Sequence, residues 1–289
     1  MIEMAELVHG FHANLPVTLS LLRDFCGVRQ FDLVPRAGTP LALPAGATPA
    51  AMRLHCDKVI ARQVLRDHAW QVEELNFAKA VMPADSPFAL VDVGANMGLF
   101  SRQFLVQFPN LAQVWAYEPN PDNHALLLHN LAFSPKVQAH RVALSDSEGQ
   151  ADFYEEQDNC GNYSLNSAAM PPEQQFKVAR VQTRAVATEC LTWHQSGLPL
   201  FYKSDTQGFD EKIACALPDS FWPSVKAGIL ELWRIDKPEH SRERLRAVLD
   251  QFPRKIFLRD PRRLLATDEI LAFLDSQDRN HHDLGFWRP

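Results

Sequence analysis

The chain has 289 residues, 46% of them apolar and 22% charged. Such a length buries a full core without disulfide or metal support, and the balance excludes a disordered chain, a collagen-like rod and a polytopic membrane protein. With 29 Lys plus Arg against 35 Asp plus Glu, the formal charge of -6 argues against general nucleic-acid binding.

The 5 cysteines are widely spaced and contain no CxxC pair, so they signal neither a zinc knuckle nor a redox motif. They read as reduced thiols of a cytoplasmic protein. The opening MIEMAELVHGFHANLP carries two glutamates and no basic stretch before an apolar core, so it does not read as a signal peptide. No apolar run reaches the ~18 residues of a membrane span.

In chain order, residues 1–69 read as an N-terminal extension or cap, mainly helical, and 70–289 as the main domain. Helical apolar spacing covers 15–25, and PRAGTPLALPAGATP at 35–49 is turn-rich. Residues 53–81 read as helix, broken near Ala69 and Trp70, and Pro83 and Pro87 then break the chain. From 88 the pattern alternates between strand and helix. Strands are expected at 88–93, 114–117, 137–142, 151–155, 178–185, 200–204 and 229–233. Helices are expected at 99–108, 121–131 and 210–217. The remainder reads as a helix at 241–252, an edge strand at 255–258, and a helix at 267–275 with Thr267 as a possible cap. The last nine residues, HHDLGFWRP, are either a sheet-edge strand or a loose tail.

Val91-Asp92-Val93-Gly94-Ala95-Asn96-Met97-Gly98 is the most informative segment, a glycine turn between a strand and a helix. Gly94 allows dihedrals and a close backbone approach that a side chain obstructs, and Gly98 lets the first helical turn pack tightly. The helix start offers unsatisfied amides. Asp92 stands at the strand's carboxyl end, where open α/β sheets bind ligands. Asn96 breaks the GxGxxG pattern and no GxxxxGK[ST] loop exists, so pyrophosphate cradling is not the natural reading. Glu118, at the end of VWAYEP, is placed to accept hydrogen bonds from both hydroxyls of a ribose. Each feature alone also fits a ligand-free turn or a loop acid; together they describe a nucleoside site.

DVGANMG followed by a YEP strand resembles the class I S-adenosylmethionine-dependent methyltransferases, and more narrowly the FkbM family. VDVGANMG at 91–98, YEPN at 117–120, RVALSDSEG at 141–149, KSDTQGFDEKI at 203–213 and ILELW at 229–233 follow that family's order over about 70–240. The resemblance implies a Rossmann-like class I methyltransferase fold: α/β, with a seven-stranded, mostly parallel sheet and an antiparallel edge strand. It implies that Asp92, Gly94, Ala95, Asn96 and Gly98 line the methionine and sugar portion of S-adenosyl-L-methionine. Glu118 would hold the ribose, Pro119 and Asn120 flank the adenine, and Asp146 lies near the adenine edge with Ala143 and Leu144 against the ring. Glu73 or Glu74 resembles an acid upstream of the first motif that faces the cofactor.

Lys203, Ser204 and Asp205 would then stand at a strand tip beside the cofactor methyl group, with Asp205 accepting or orienting a substrate hydroxyl's proton. Holding nucleophile and methyl in line supplies much of the rate in such a reaction. Gln207 stands where most family members have Glu, which removes one negative charge. Glu231 is expected on a further strand tip facing the acceptor. Asp205, Glu231 and His240 have no recognisable ligand spacing, so no metal is expected. The loop 158–166 places Asn162, Tyr163 and Ser164 toward a polar acceptor or in an ordinary surface loop. Arg242, Arg244 and Arg246 read as a solvated helix face, and Arg259, Arg262 and Arg263 as a surface patch or, alternatively, a contact for a phosphorylated or acidic acceptor. Trp115 and Trp193 read as packing residues, and Trp233 and Trp287 as possible ring-stacking surfaces.

The implied reaction is methyl transfer to a hydroxyl oxygen of a small molecule or glycan, by a monomer or homodimer with neither nucleic-acid nor membrane partners. The alternative is a non-catalytic nucleoside-binding or scaffold protein, favoured by Gln207. A nicotinamide oxidoreductase is disfavoured by Asn96. A nucleic-acid methyltransferase is disfavoured by the acidic balance and by the absence of a DPPY or NPPF tetrad.

Overall fold

The computed structural model describes residues 4–48, 51–156, 159–169, 176–233, 241–275 and 281–289. Helix α1 (Met4–Asp24) begins well before the expected 15–25 and carries Pro16 in its interior. Strands β1 (Gln30–Leu33) and β2 (Met52–His55) pair antiparallel, so the start of the expected 53–81 helix is a strand instead. Its side chains alternate between fully and partly buried, as a sheet with one covered face requires. The helix proper is split into α2 (Ile60–Asp67) and α3 (Val72–Val81). The expected break falls between them, with His68 at φ 50° and Gln71 at φ 47°.

Alternation then sets in with β3 (Phe88–Val93), α4 (Leu99–Gln107), β4 (Leu111–Tyr117), α5 (Pro121–Leu131) and β5 (Val137–His140). Asn120 starts α5: its side-chain oxygen accepts from the N–H groups of Asp122 (2.9 Å) and Asn123 (3.0 Å), and Pro121 fills the first turn. Four strands, β6 (Ala143–Ser145), β7 (Gly149–Glu156), β8 (Tyr163–Ser164) and β9 (Phe176–Ala185), form a separate small sheet in the order β6-β9-β7-β8. After α6 (Val186–Gln195), which the sequence pattern did not reveal, come β10 (Leu200–Ser204), α7 (Asp210–Ala216) and β11 (Val225–Trp233). The chain closes with α8 (Arg242–Leu249), β12 (Arg254–Phe257), α9 (Thr267–Leu274) and β13 (His281–Trp287). Thr267 is not the cap of α9. Its hydroxyl bonds Asp250 at 2.5 Å, while Glu269 accepts from the Ala266 N–H at 2.8 Å.

The large sheet has seven strands in the order β12-β13-β11-β10-β3-β4-β5. β11, β10, β3, β4 and β5 run parallel, and β13 is antiparallel to both its neighbours. This is the Rossmann-like class I methyltransferase topology. One detail differs from expectation: the antiparallel strand is the terminal HHDLGFW segment, one place in from the edge, and β12 forms the edge. Successive residues of β3 serve opposite faces. Val91 and Val93 join a core with Tyr117, Trp193 and Tyr202, whereas Phe88 and Leu90 join one with Phe100, Phe104 and Phe201. Trp115 and Trp193 are packing residues, as expected. Trp287 packs edge-on against Phe77 at 5.6 Å.

The N-terminal segment is stitched onto this framework. Asn130 of α5 accepts from the Arg53 N–H (2.6 Å) and donates to the carbonyls of Arg53 (2.9 Å) and Met97 (2.8 Å). Buried Arg102 donates to the carbonyl oxygens of Leu41 and Asn130, both at 2.9 Å. The segment therefore lies over the carboxyl ends of β3 and β4, where open sheets of this type bind ligands.

Candidate active site

A cavity of about 310 Å³ opens there, lined from both sheets and from the N-terminal segment. At one end are Gly94, Ala95, Asn96, Glu118, Pro119, Ala143, Leu144, Phe153 and Tyr163. Gly94 has φ +76°, and a Cβ there would stand 2.0 Å from the Asp205 carbonyl oxygen, so no larger residue fits. The N–H groups of Gly94 and Ala95 both donate to the Tyr117 carbonyl at 3.0 Å, so these two amides are spent inside the protein. Asn96 adopts φ 51°, a region that Asn tolerates better than most residues. Its N–H donates to Glu118 Oε2 (2.9 Å) and its side-chain amide to the Cys160 carbonyl (2.7 Å). Glu118 Oε1 accepts from the Asn120 N–H at 2.8 Å. Burial nevertheless raises the Glu118 carboxyl to about 7, against these donors.

The other end is acidic. Glu74, Asp205, Glu231 and Asp283 line it, with Lys203 and His281. Lys203 Nζ lies 3.3 Å from Asp205 Oδ2 and 3.5 Å from Asp92 Oδ1. Burial disfavours its charge, but the two carboxylates outweigh burial and hold Lys203 above its ordinary value. Asp205 also accepts from the side-chain amides of Gln71 (2.8 Å) and Gln207 (2.8 Å). Burial works against its charge, yet Lys203 and these donors keep it below the usual carboxylate range. Gln207, at φ 56°, also donates to both oxygens of Glu231 at 3.0 Å and so ties the two acids together. Trp233 Nε1 donates to Glu231 Oε2 at 2.7 Å and its ring stacks on His281. Burial, then Asp205 and Asp210, push Glu231 well above its ordinary value. Among the described residues, three of the four non-glycine residues with positive φ, Gln71, Asn96 and Gln207, border this one cavity, as strain concentrated at a working site does.

Of the residues expected from sequence, Glu74, Gly94, Ala95, Asn96, Glu118, Pro119, Ala143, Lys203, Asp205 and Glu231 meet around the cavity. Asp92 stands just behind it, fully buried, accepting from the Ser101 hydroxyl at 2.6 Å. Gly98 serves packing, since a Cβ there would press Leu131 at 3.1 Å. Asn120 caps α5 and donates to Glu155 at 2.8 Å rather than facing the cavity. Asp146 bonds Ser145 and Ser147, pairs with Lys212 at 3.7 Å and is not among the residues that line the cavity. In the expected acceptor loop only Tyr163 of the three named residues lines the cavity. Asn162 donates to Glu156 at 2.6 Å, and Ser164 accepts from the Asn166 N–H at 2.9 Å. Asp158 and His240 lie outside the described residues. Gln71, His281 and Asp283 were not foreseen: they come from a helix break and a terminal strand with no motif of their own.

Arg242, Arg244, Arg246 and Arg263 pair with Asp275, Asp219, Asp268 and Glu269. The 5 cysteines are free. Among the described residues no group of three or more His, Cys, Asp or Glu is arranged to hold a metal ion, and no helix is long and apolar enough to cross a membrane.

No family model matches the chain. A stretch of 112 residues is 30% identical to part of the AMB antimetabolite synthetase AmbE of Pseudomonas aeruginosa, covering 38% of this chain and 5% of that protein. Methyltransferase sdnD of Sordaria araneosa is 23% identical over 223 residues, 66% of this chain and 79% of that protein. Among solved structures, Methyltransferase FkbM from Methylobacillus flagellatus KT superposes with a TM-score of 0.40 at 15% identity, covering 76% of this chain and 48% of that one. A geranyl diphosphate methyltransferase in complex with GPP and sinefungin gives 0.39 at 10% identity, covering 96% and 98%.

Proposed function

We propose that the chain transfers a methyl group from S-adenosyl-L-methionine to a hydroxyl oxygen of a small molecule or glycan. The observation that carries this reading is the polarity of the cavity along its length. A buried strand-tip carboxylate, Glu118, faces an apolar slot formed by Ala143, Leu144 and Phe153 at one end, and four acids face a single cation at the other. Glu118 suits a ribose, the apolar slot a purine, and the acidic end a positively charged group. Glu74 Oε2, on the cavity lining, is buried without a hydrogen-bond partner among the described residues, and the apolar slot and acidic end match the two halves of this cofactor, so the residues present fit it. Methyltransferase sdnD, similar over 66% of the chain, carries the same class of activity in its name.

When bound, the cofactor supplies an electrophilic methyl on a sulfonium. The chain's own groups position the acceptor and manage charge. Asp205 accepts from Lys203, Gln71 and Gln207 and stays ionised. It is therefore suited to orienting a hydroxyl or steadying a positive charge, and less to taking a proton, for which a higher pKa serves better. Glu231 faces the acceptor side beside Trp233 and His281.

Calorimetric titration with S-adenosylhomocysteine, with NAD for comparison, tests the cofactor. Selective homocysteine-nucleoside binding is expected, and a folded protein that binds neither, or only NAD, overturns the reading. Cofactor consumption across a panel of hydroxylated small molecules and glycans then separates an enzyme from a nucleoside-binding scaffold.

A further inference from the structure

Strand register brings three carboxylates into one row. Ser204 of β10 pairs with Leu230 of β11, so Asp205 follows on beside Glu231, and Glu231 lies directly opposite Asp283 of antiparallel β13. Neighbouring strands are about 4.8 Å apart. Like charges directly opposite on a sheet destabilise it, and burial deepens the cost. All three acids line the cavity, and Glu231 is only 4% exposed. Glu74 of α3 lines it too; it is 7% exposed, and its Oε2 has no hydrogen-bond partner among the described residues. The row is compensated at one end only. Lys203 Nζ is committed to Asp205 at 3.3 Å and Asp92 at 3.5 Å. The Gln207 nitrogen fills the point between Asp205, at 2.8 Å, and the two oxygens of Glu231, at 3.0 Å. Among the described residues no lysine or arginine pairs with Glu74, Glu231 or Asp283, and His281 stands 3.7 Å from Glu231. Burial first, and then the neighbouring acids, push all three carboxyl groups upward, as unshared negative charge does.

We propose that Glu231 and Asp283, completed by Glu74, form an ammonium-binding subsite, and that the methyl acceptor is a hydroxylated amine, such as an amino sugar or amino alcohol, held by its protonated nitrogen. The proposal rests on the cofactor reading above and names the acceptor class for the same cavity. The cofactor does not use up this end. It brings a sulfonium, an ammonium and a carboxylate, a net charge of one, and Lys203 supplies one more, so at least two of the four acids remain uncompensated once it is bound. Position divides the acids in the same way. With the ribose at Glu118 after β4, the methionine arm passes the glycine turn after β3 toward Asp205 at the tip of β10. Glu231 and Asp283 lie one and two strands further on, and Glu74, from a different element, borders both ligands. An amine kept protonated by carboxylates has no lone pair, so it is a handle and the hydroxyl is the nucleophile. A lone pair of the hydroxyl oxygen forms the new O–CH3 bond, the electron pair of the C–S bond returns to sulfur, and the hydroxyl's proton goes to water.

The full-length chain, saturated with S-adenosylhomocysteine, is titrated by calorimetry with ethanolamine against ethylene glycol, and with D-glucosamine against D-glucose and N-acetyl-D-glucosamine. The members of each set differ chiefly by the ammonium. At least one amine is expected to bind about tenfold tighter, or more, than its uncharged counterparts. Asp283→Asn is expected to lower that affinity by about tenfold while the urea midpoint stays level or rises, because relief of like charge across β11 and β13 favours the empty site. An Asp283 with a merely structural role would instead lower the midpoint and leave amine affinity alone. Glu243→Gln, exposed on α8, makes the same change of net charge and is expected to alter neither. Uncharged members that bind as well as the amines, no binding by any member to a chain that holds S-adenosylhomocysteine, or displacement of the amines by Mn2+ binding at the row, overturns the subsite while leaving the cofactor reading intact. Failure of the folded chain to bind S-adenosylhomocysteine overturns both. If Asp283→Asn does not fold, the matched sets on the native chain still decide.

Discussion

The two ends of the cavity are built in opposite ways. The Glu118 end comes from consecutive turns: Gly94 to Asn96 after β3 and Glu118 to Asn120 after β4 are neighbours because parallel strands β3 and β4 pair. The acidic end is assembled from α3, β10, β11 and β13 and the loop after β10, contributed by widely separated parts of the chain. A site made from adjacent βα turns inherits its geometry from the sheet register. A site made from distant elements depends on the whole fold and is held by the pairings inside it: Lys203 with Asp92 and Asp205, and Gln207 across Asp205 and Glu231.

The sharpest way to break the contrast is at the point where the ends touch. In Gly94→Ala the new Cβ meets the Asp205 carbonyl oxygen, and alanine must also adopt φ +76°. Both ends are expected to fail together, with a stability loss on the order of 4 kcal/mol or more in chemical denaturation. Loss of less than about 1 kcal/mol would mean that the turn relaxes freely. Next comes Lys203→Met, which leaves Asp92 and Asp205 buried without their cation. A loss of about 3–5 kcal/mol is expected at pH 8. The sign with pH follows from the carboxylates: without Lys203 their folded pKa values rise above the unfolded ones, so the native state binds extra protons. The deficit is therefore expected to shrink at pH 5.

Glu118→Gln sharpens the comparison at the other end. The amide keeps an oxygen for only one of the Asn96 and Asn120 N–H groups and turns its NH2 toward the other, so a stability loss of about 1–3 kcal/mol is expected beside the effect on binding. Charged hydrogen bonds to ribose hydroxyls are lost, and affinity for S-adenosylhomocysteine is expected to fall by about 10- to 100-fold in calorimetry. An unchanged affinity would move the ribose elsewhere in the cavity.

The same contrast explains what could be read from sequence. Strands β3 and β10 and helix α5 were legible to the residue, because each is a buried apolar run or a capped helix bounded by Gly, Pro or Asn. The cluster of Gly94, Asn96 and Glu118 followed from the motif order. β2 is hidden within a helical pattern because four residues cannot display a period, and its pairing with β1 spans a long turn-rich stretch. Asp146 carries no signal beyond likeness of motif, and it bonds Ser145 and Ser147 outside the cavity lining. Asp283 and His281 were invisible because the terminal segment, ambiguous between an edge strand and a tail, inserts between β11 and β12. Gln71 acts through a left-handed backbone position that nothing in its residue type announces.

Glu211 gives the mildest test, because it carries the burial of the acidic end without a place in the cavity lining. It stands on α7, nearly fully buried, and accepts from the Trp233 N–H at 3.2 Å. Burial and then neighbouring Asp210 raise it to about 8. An unfolded glutamate titrates near ~4.3, so between that value and 8 the unfolded chain has lost a proton that the native protein keeps. Its contribution is therefore complete at low pH and drains away as pH rises, by up to about 1.4 kcal/mol per pH unit. In Glu211→Gln the amide oxygen still accepts the Trp233 N–H but nothing titrates. Urea midpoints measured from pH 5 to 8.5 are expected to fall less steeply than in the native protein, with affinity for S-adenosylhomocysteine unchanged within about twofold. A slope that persists would assign the buried protons to the cavity acids instead, and a changed affinity would join α7 to the acidic end of the site.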